Sequence, residues 1–173
     1  MRELAVYDYH NYKAGGTVGR RPSIRGIIRR EGRVALVHSL KYDYYKFPGG
    51  GAENGERHAE TLIREVAEET GLVVIPESIK EYGLVIRKEK GGIDDIFLQE
   101  NFYYFCEAEE NLSMQKLDDY EEEERFVLEW AEPELMIETN LFHNHSEKSS
   151  ERARHMMERD ANVMKLLMEE GYC

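Results

Sequence analysis

The stretch Gly50 to Leu72, GGAENGERHAETLIREVAEETGL, constrains this chain more than any other part of it. A helix advances about 100° per residue, so positions three and four apart share a face. Over His58 to Thr70 that spacing puts Glu65, Glu68 and Glu69 on one arc and Ala59, Leu62, Ile63, Val66, Ala67 and Thr70 on the opposite one. One arc is suited to binding and the other to pressing against a sheet. Asn54-Gly55 marks a turn before the helix, and Gly71 falls where a left-handed cap is favoured.

Three carboxylates on one edge repel, and adjacent carboxylates resist joint ionisation unless a cation sits between them. The expectation is therefore an edge that is strained without metal. Oxygen-only ligands suit a hard divalent ion, Mg²⁺ with Mn²⁺ as the substitute, and such an ion binds phosphate oxygens in turn. Hydrolysis at a phosphorus centre is the chemistry indicated. Upstream, Phe47-Pro48-Gly49-Gly50-Gly51 carries little side-chain bulk, so its backbone can approach an ion or a phosphate closely.

With these residues in place the chain resembles the Nudix hydrolase family. That family's signature is a Gly, five residues, a Glu, seven residues, then Arg-Glu-aliphatic-x-Glu-Glu-x-Gly-aliphatic. The fixed positions fall at Gly50, Glu56, Arg64, Glu65, Val66, Glu68, Glu69, Gly71 and Leu72, and the preceding Phe-Pro-Gly-Gly is Phe47 to Gly50. Nine constrained positions are far more specific than a lone glycine motif. The resemblance implies an α+β fold, an α/β/α sandwich around a central mixed β-sheet, and cleavage of a nucleoside diphosphate linked to another moiety X. The products would be a nucleoside monophosphate and phosphorylated X. It further implies that Glu65, Glu68 and Glu69 converge on metal together with the Gly50 carbonyl, one of the glutamates helping to activate water. Arg64 would orient the carboxylates and Glu56 would serve as an outer metal or water ligand. The catalytic set expected is thus Glu65, Glu68, Arg64 and Glu56. The family commonly adds a carboxylate from outside the signature; the run Glu121 to Glu124, otherwise a solvated acidic loop, is the place for it, with Glu124 or its neighbour Glu123 expected and Glu100 as the rival.

The 173 residues suffice for one domain with its own core, here with an N-terminal extension over residues 1–20 and a C-terminal helix over residues 149–170. The charged fraction of 34% is high, but charge is interleaved with apolar periodicity and does not signal disorder. A net charge of −12 argues against gripping long nucleic acid by its phosphates, which needs a basic footprint, and favours a small nucleotide as partner. Charge is also uneven: residues 1–40 hold eight Lys or Arg against three Asp or Glu. The two cysteines, Cys106 and Cys173, make neither a disulfide framework nor a metal quartet, and they leave no thiol placed for an isomerase-type use of the same carboxylates. No apolar run approaches membrane-spanning length, and residues 1–12 lack the order of a signal peptide, so no membrane partner and a cytoplasmic location are expected.

Ser23 to Arg29 and Arg33 to Ser39 read as a hairpin about Glu31-Gly32. Leu72 to Ile75, Ser78 to Arg87, Ile96 to Ala108 and Phe126 to Trp130 read as further strands. Pro133 opens a helix of one or two turns, and Glu151 to Glu170 forms a longer one after the polar stretch of residues 143–150. The substrate residues expected are Arg25, Lys41, Tyr44 and Lys46. An arginine of the basic segment and the two lysines would meet phosphates, and a tyrosine of the Tyr42 to Tyr45 group would stack on a base. Their bland alternatives are a solvated strand face, solvated lysines and core packing. The His143-x-His145 pair reads as loop polarity. Tyr7 to Tyr12 either adds a strand to a neighbouring subunit, with a homodimer preferred, or covers the chain's own sheet edge. A catalytically silent nucleotide-binding module on the same fold is the alternative function.

Overall fold

The computed structural model describes residues 1–109, 115–145 and 150–173. Its elements in chain order are β1 (Glu3–Asp8), β2 (Val18–Ile27), β3 (Arg29–Arg30), β4 (Arg33–Ser39), β5 (Tyr44–Lys46), β6 (Gly49–Gly51), α1 (His58–Thr70), β7 (Val73–Val74), β8 (Lys80–Lys90), β9 (Ile96–Phe105), β10 (Ala108–Glu109), α2 (Asp119–Glu124), β11 (Phe126–Ala131), α3 (Pro133–Phe142) and α4 (Glu151–Glu169). A mixed five-stranded sheet runs β1-β8-β9-β2-β6, with β1 parallel to β8 and β2 parallel to β9. A second sheet runs β11-β4-β3, and β5 pairs with β4.

Alternation along the strands divides the large sheet into two faces. Ile24 of β2 packs with Leu62 and Val66 of α1 on one side. Ile27, Val85 and Tyr103 pack with Val163, Met164 and Leu167 of α4 on the other. Helices thus cover both faces, giving the expected layered α/β/α arrangement.

Several sequence expectations shift in detail. The hairpin about Glu31 and Gly32 forms, both residues having positive φ, but its first arm is only β3; β2 has moved to the other sheet, where it pairs with β6 and β9. Pro133 opens a ten-residue helix rather than one or two turns. The tyrosine-rich start covers the chain's own sheet edge, β1 lying along β8. Of the polar stretch expected over residues 143–150, residues 146–149 lie outside the described residues, as does residue 149 at the start of the expected C-terminal helix. His143 and His145 turn to Asp43 and to the carbonyls of Tyr42 and Thr139. No helix among the described residues is long and apolar enough to cross a membrane.

Helix α1 occupies the span that its punctuation predicted. The Glu60 carboxylate accepts the Arg57 N–H at 2.9 Å at one end, and Gly71 with φ 75° donates to the Ala67 carbonyl at the other. Its buried arc is rotated from the expected one, for Ala59 is exposed and Glu69 is buried.

Candidate active site

Arg64 organises the exposed edge of α1. Its Nη1 donates to Glu65 at 2.7 Å and to Glu68 at 3.0 Å. Nε and Nη2 form a two-pronged contact with Glu56 at 2.8 and 2.9 Å, and Nη2 also reaches the Gly51 carbonyl at 3.2 Å. Glu56 further accepts from the Thr61 hydroxyl and the Glu53 N–H. Arg64 is the main reason that the Glu56 carboxyl is pulled down to about 2. Burial pushes the Glu65 carboxyl up against the pull of Arg64. Gly50 permits this packing, because a Cβ there would run into the Glu65 carboxylate.

Glu69 does not join that edge. It is 1% exposed, pairs with Lys46 Nζ at 2.6 Å and accepts the Gly49 N–H at 2.8 Å. A helical wheel shows that residues 65, 68 and 69 share an arc, but it does not show that β5 and β6 reach the boundary of that arc and draw Glu69 inward. Among the described residues no three His, Cys, Asp or Glu side chains stand together as ready metal ligands. Nor does the acidic edge need metal to relieve repulsion, since Arg64 and Lys46 supply the countercharge.

The remaining pieces of the expected set are dispersed. Glu124 accepts from the Tyr44 hydroxyl at 2.6 Å and the Ser39 hydroxyl at 3.2 Å, which makes it the seat of a buried tyrosine. Glu123 pairs with Lys41 on the surface, so Lys41 stands apart from the cavity described below. Glu100 faces Arg20. The acid from α2 that senses the signature is Glu121: it is 5% exposed, and its carboxyl is pushed up by burial and then by the charge of Glu69. Its sequence signal was the Asp118-x-x-Glu121 capping pattern, in which Glu121 accepts the Asp118 N–H at 2.9 Å. Read as a solvated acidic loop, that stretch conceals its one buried member.

Gly49 and Gly50 also line a cavity of about 260 Å³ on the face of the sheet that α4 covers. Among the described residues six cationic ones line it: Arg21, Arg25, Lys46, Arg87, Arg152 and Arg159. None of the described Asp or Glu residues does, although the chain as a whole carries −12. Tyr44, Phe97, Tyr120 and Phe126 add aromatic surface. Three of the four expected substrate residues, Arg25, Tyr44 and Lys46, are therefore here. The Arg25 guanidinium is held by the carbonyls of Phe47 and Gly49. Arg87, Arg152, Arg159 and Phe97 were not foreseen. The signal that the sequence does carry for this face is alternation: Arg21, Ser23 and Arg25 on β2 and Gln99 on β9 point polar groups to a face that is apolar further along, at Ile27 and Tyr103.

The donors present fit a hard divalent ion in the manner of Mg²⁺, which takes one or two protein carboxylates and leaves its other positions to water and phosphate. Glu65 and Glu68 are the two that could serve, for a single Arg64 nitrogen already bridges them. Both keep some solvent access, at 14% and 36% of the side chain.

Residues 19–153 match the family described as NUDIX domain. The RNA pyrophosphohydrolase of Xylella fastidiosa is 38% identical over 66 residues, covering 38% of this chain and 34% of that protein. The RNA pyrophosphohydrolase of Stenotrophomonas maltophilia is 37% identical over 67 residues, covering 38% and 31%. The chain thus spans about a third of the length of the curated relatives it matches. Among solved structures, the E. coli ORF135 protein superposes with a TM-score of 0.54 at 16% identity, covering 86% of this chain and 92% of that one. A NUDIX hydrolase from Nitrosomonas europaea gives 0.54 at 17% identity, covering 84% and 90%. At such identities these two likenesses concern the fold.

Proposed function

This chain belongs to the Nudix family, and from that premise we propose that it hydrolyses a diphosphate bond in a nucleoside diphosphate linked to a moiety X, releasing a nucleoside monophosphate and phosphorylated X. The observation that carries the reading is the junction at Gly50, where a carboxylate pair suited to metal adjoins a cavity lined by cations and, among the described residues, by no acid. Glu65 and Glu68 are the residues that would hold Mg²⁺, or Mn²⁺ in its place, with the Gly50 carbonyl beside them. When bound, the ion would neutralise phosphate charge and lower the pKa of an attacking water. Arg64 fixes the two carboxylates and Glu56 fixes Arg64, so the pair is ordered before substrate arrives. Glu69 acts indirectly by locking Lys46 and the Gly49 amide at the cavity wall. Arg25 and Lys46 would meet phosphate oxygens, and the exposed Tyr120 would offer a ring to the base, Tyr44 being buried against Glu124. Glu121, buried near Glu69 with its carboxyl raised, is the carboxylate outside the signature best placed to take a proton.

The phosphorylated 5′ end of an RNA is a second substrate reading, favoured by the curated relatives named RNA pyrophosphohydrolase. Overall acidity does not oppose it, because the charge that an RNA end meets is the local one. A panel of diphosphate compounds and short 5′-triphosphorylated RNA, incubated with Mg²⁺ or Mn²⁺ and resolved by product, tests both. Glu68→Gln should lower turnover by about 10² to 10³-fold, the loss expected when several kcal/mol of transition-state stabilisation go. Full turnover by that variant would remove the metal assignment. A nucleotide that binds and is recovered uncut under all conditions would favour the silent binding module.

A further inference from the structure

The cavity has two walls, and the diphosphate chemistry accounts for only one. Arg25, Lys46, Gly49 and Gly50 belong to the wall beside the signature. Opposite them, Arg87 of β8 and Arg152 and Arg159 of α4 gather where no step of the proposed hydrolysis needs them. Arg87 and Arg159 are 3% and 1% exposed. A buried guanidinium is costly unless its charge and its N–H groups are matched.

That matching is incomplete. Arg159 gives Nε to Asp160 at 2.7 Å and Nη1 to Asn101 at 2.6 Å, and Nη2 has no hydrogen-bond partner among the described residues. Arg87 gives Nη1 to the Arg152 carbonyl at 3.1 Å and has Glu89 at 3.4 Å from Nη2, with Nε likewise unpartnered among the described residues. Arg152 also leans on Glu89, at 3.2 Å, and lies over the Phe97 ring. Glu89 and Asp160 therefore stand behind three arginines, and Glu89 is further shared with His155 at 2.6 Å. Mutual repulsion remains: burial and the charges of Arg159 and Arg152 bring the Arg87 guanidinium down to about 10. The first turn of the 19-residue α4 lines the same wall through Ser150, Arg152 and Ala153, adding the positive end of a helix dipole.

We infer that this wall is an oxyanion subsite, and that the preferred substrate carries, beyond the two phosphates of the cleaved bond, a further phosphate that Arg87, Arg152 and Arg159 recognise. The inference rests on the proposed pyrophosphohydrolase reading and narrows X from neutral sugars to groups ending in phosphate. That phosphate comes either from a longer phosphate chain or from a phosphorylated sugar.

Two matched pairs separate these sources. One is adenosine diphosphate against adenosine triphosphate; the other is ADP-ribose against ADP-ribose carrying a phosphate on its terminal ribose. In one pair or both, kcat/KM should favour the phosphate-richer member by about tenfold to a hundredfold, the value of charge-assisted contacts to one oxyanion. Arg87→Gln should bring that ratio close to one. Arg152→Gln, at a half-exposed position, should lower it too and decides the matter should Arg87→Gln fold poorly. In parallel, calorimetry with inorganic tripolyphosphate and pyrophosphate in EDTA reads the arginines without metal or turnover; tripolyphosphate should bind more tightly, and more weakly to either variant. A ratio near one in both wild-type pairs, or a preference that survives both substitutions, overturns the subsite. Arginine-dependent tripolyphosphate binding with no compound hydrolysed would instead uphold the subsite and reject the pyrophosphohydrolase reading.

Discussion

The acidic edge of α1 and the cationic cavity meet at Gly50, yet they are assembled in opposite ways. Every acid on the edge is held by Arg64, and none of those side-chain pairs spans more than eight residues. The cavity depends on long-range contacts, although Asp160 is the sequence neighbour of Arg159 and Glu89 lies two residues from Arg87. Asp160, which backs Arg159, accepts from Tyr103 across 57 residues and from the Phe47 N–H across 113. The edge is local, partly wet and adjustable, as a site that exchanges ligands must be. The cavity is a buried charge network whose geometry depends on β2, β5, β6, β8, β9 and β11 arriving together with α2 and α4.

The largest expected consequence of this contrast is on the cavity side. Asp160→Asn leaves Arg159 buried without its counter-ion and should cost about 3–5 kcal/mol in urea unfolding. A loss under about 1 kcal/mol would mean that the network is not the foundation it appears from its contacts, and the contrast would weaken. At the junction, Gly50→Ala pushes the Glu65 carboxylate aside. Turnover should fall about 10²-fold, the order expected from misplacing a reacting group by an ångström. Stability should move by no more than about 1 kcal/mol, because a side-chain rotation relieves the clash. Unchanged turnover would detach Gly50 and Glu65 from the chemistry.

The smallest effect is on the edge itself. The folded state lowers the Glu56 carboxyl from 4.5 to about 2, so its ionised form is the one the fold favours. Its contribution is complete above pH 4.5 and is lost as pH falls toward 2. With the pair partly open to solvent, Glu56→Gln should cost no more than about 1 kcal/mol at neutral pH. The variant should also show a shallower decline in stability between those two pH values than the wild type does. Parallel declines would show that Arg64 does not hold Glu56 in solution.

How far the site could be foreseen follows the same division. The span of α1, its glycine cap and the pairing of Glu65 with Glu68 through Arg64 depend on helical spacing, which a string of letters carries directly. Glu69 sits at the limit of that logic: its arc was right, and its burial depended on Lys46 and Gly49 coming from β5 and β6. Glu121 was hidden among Glu122, Glu123 and Glu124, since like charges in a row look equally solvated until packing buries one. Lys41 and Lys46 looked alike and ended apart, one beside Glu123 on the surface and the other in the cavity wall. Arg87 and Arg159 lie far from the signature and gave no local sign of meeting.

By itself the sequence determined the family, the carboxylate helix and the glycine approach to it, because each rests on periods of a few residues that the backbone imposes whatever surrounds it. Tertiary structure alone decided which acids are buried, which cations line the cavity, and that β1 closes the chain's own sheet. Those outcomes depend on register between strands distant in sequence, as in the Arg87, Gln99 and Arg21 row, and no local period encodes such register.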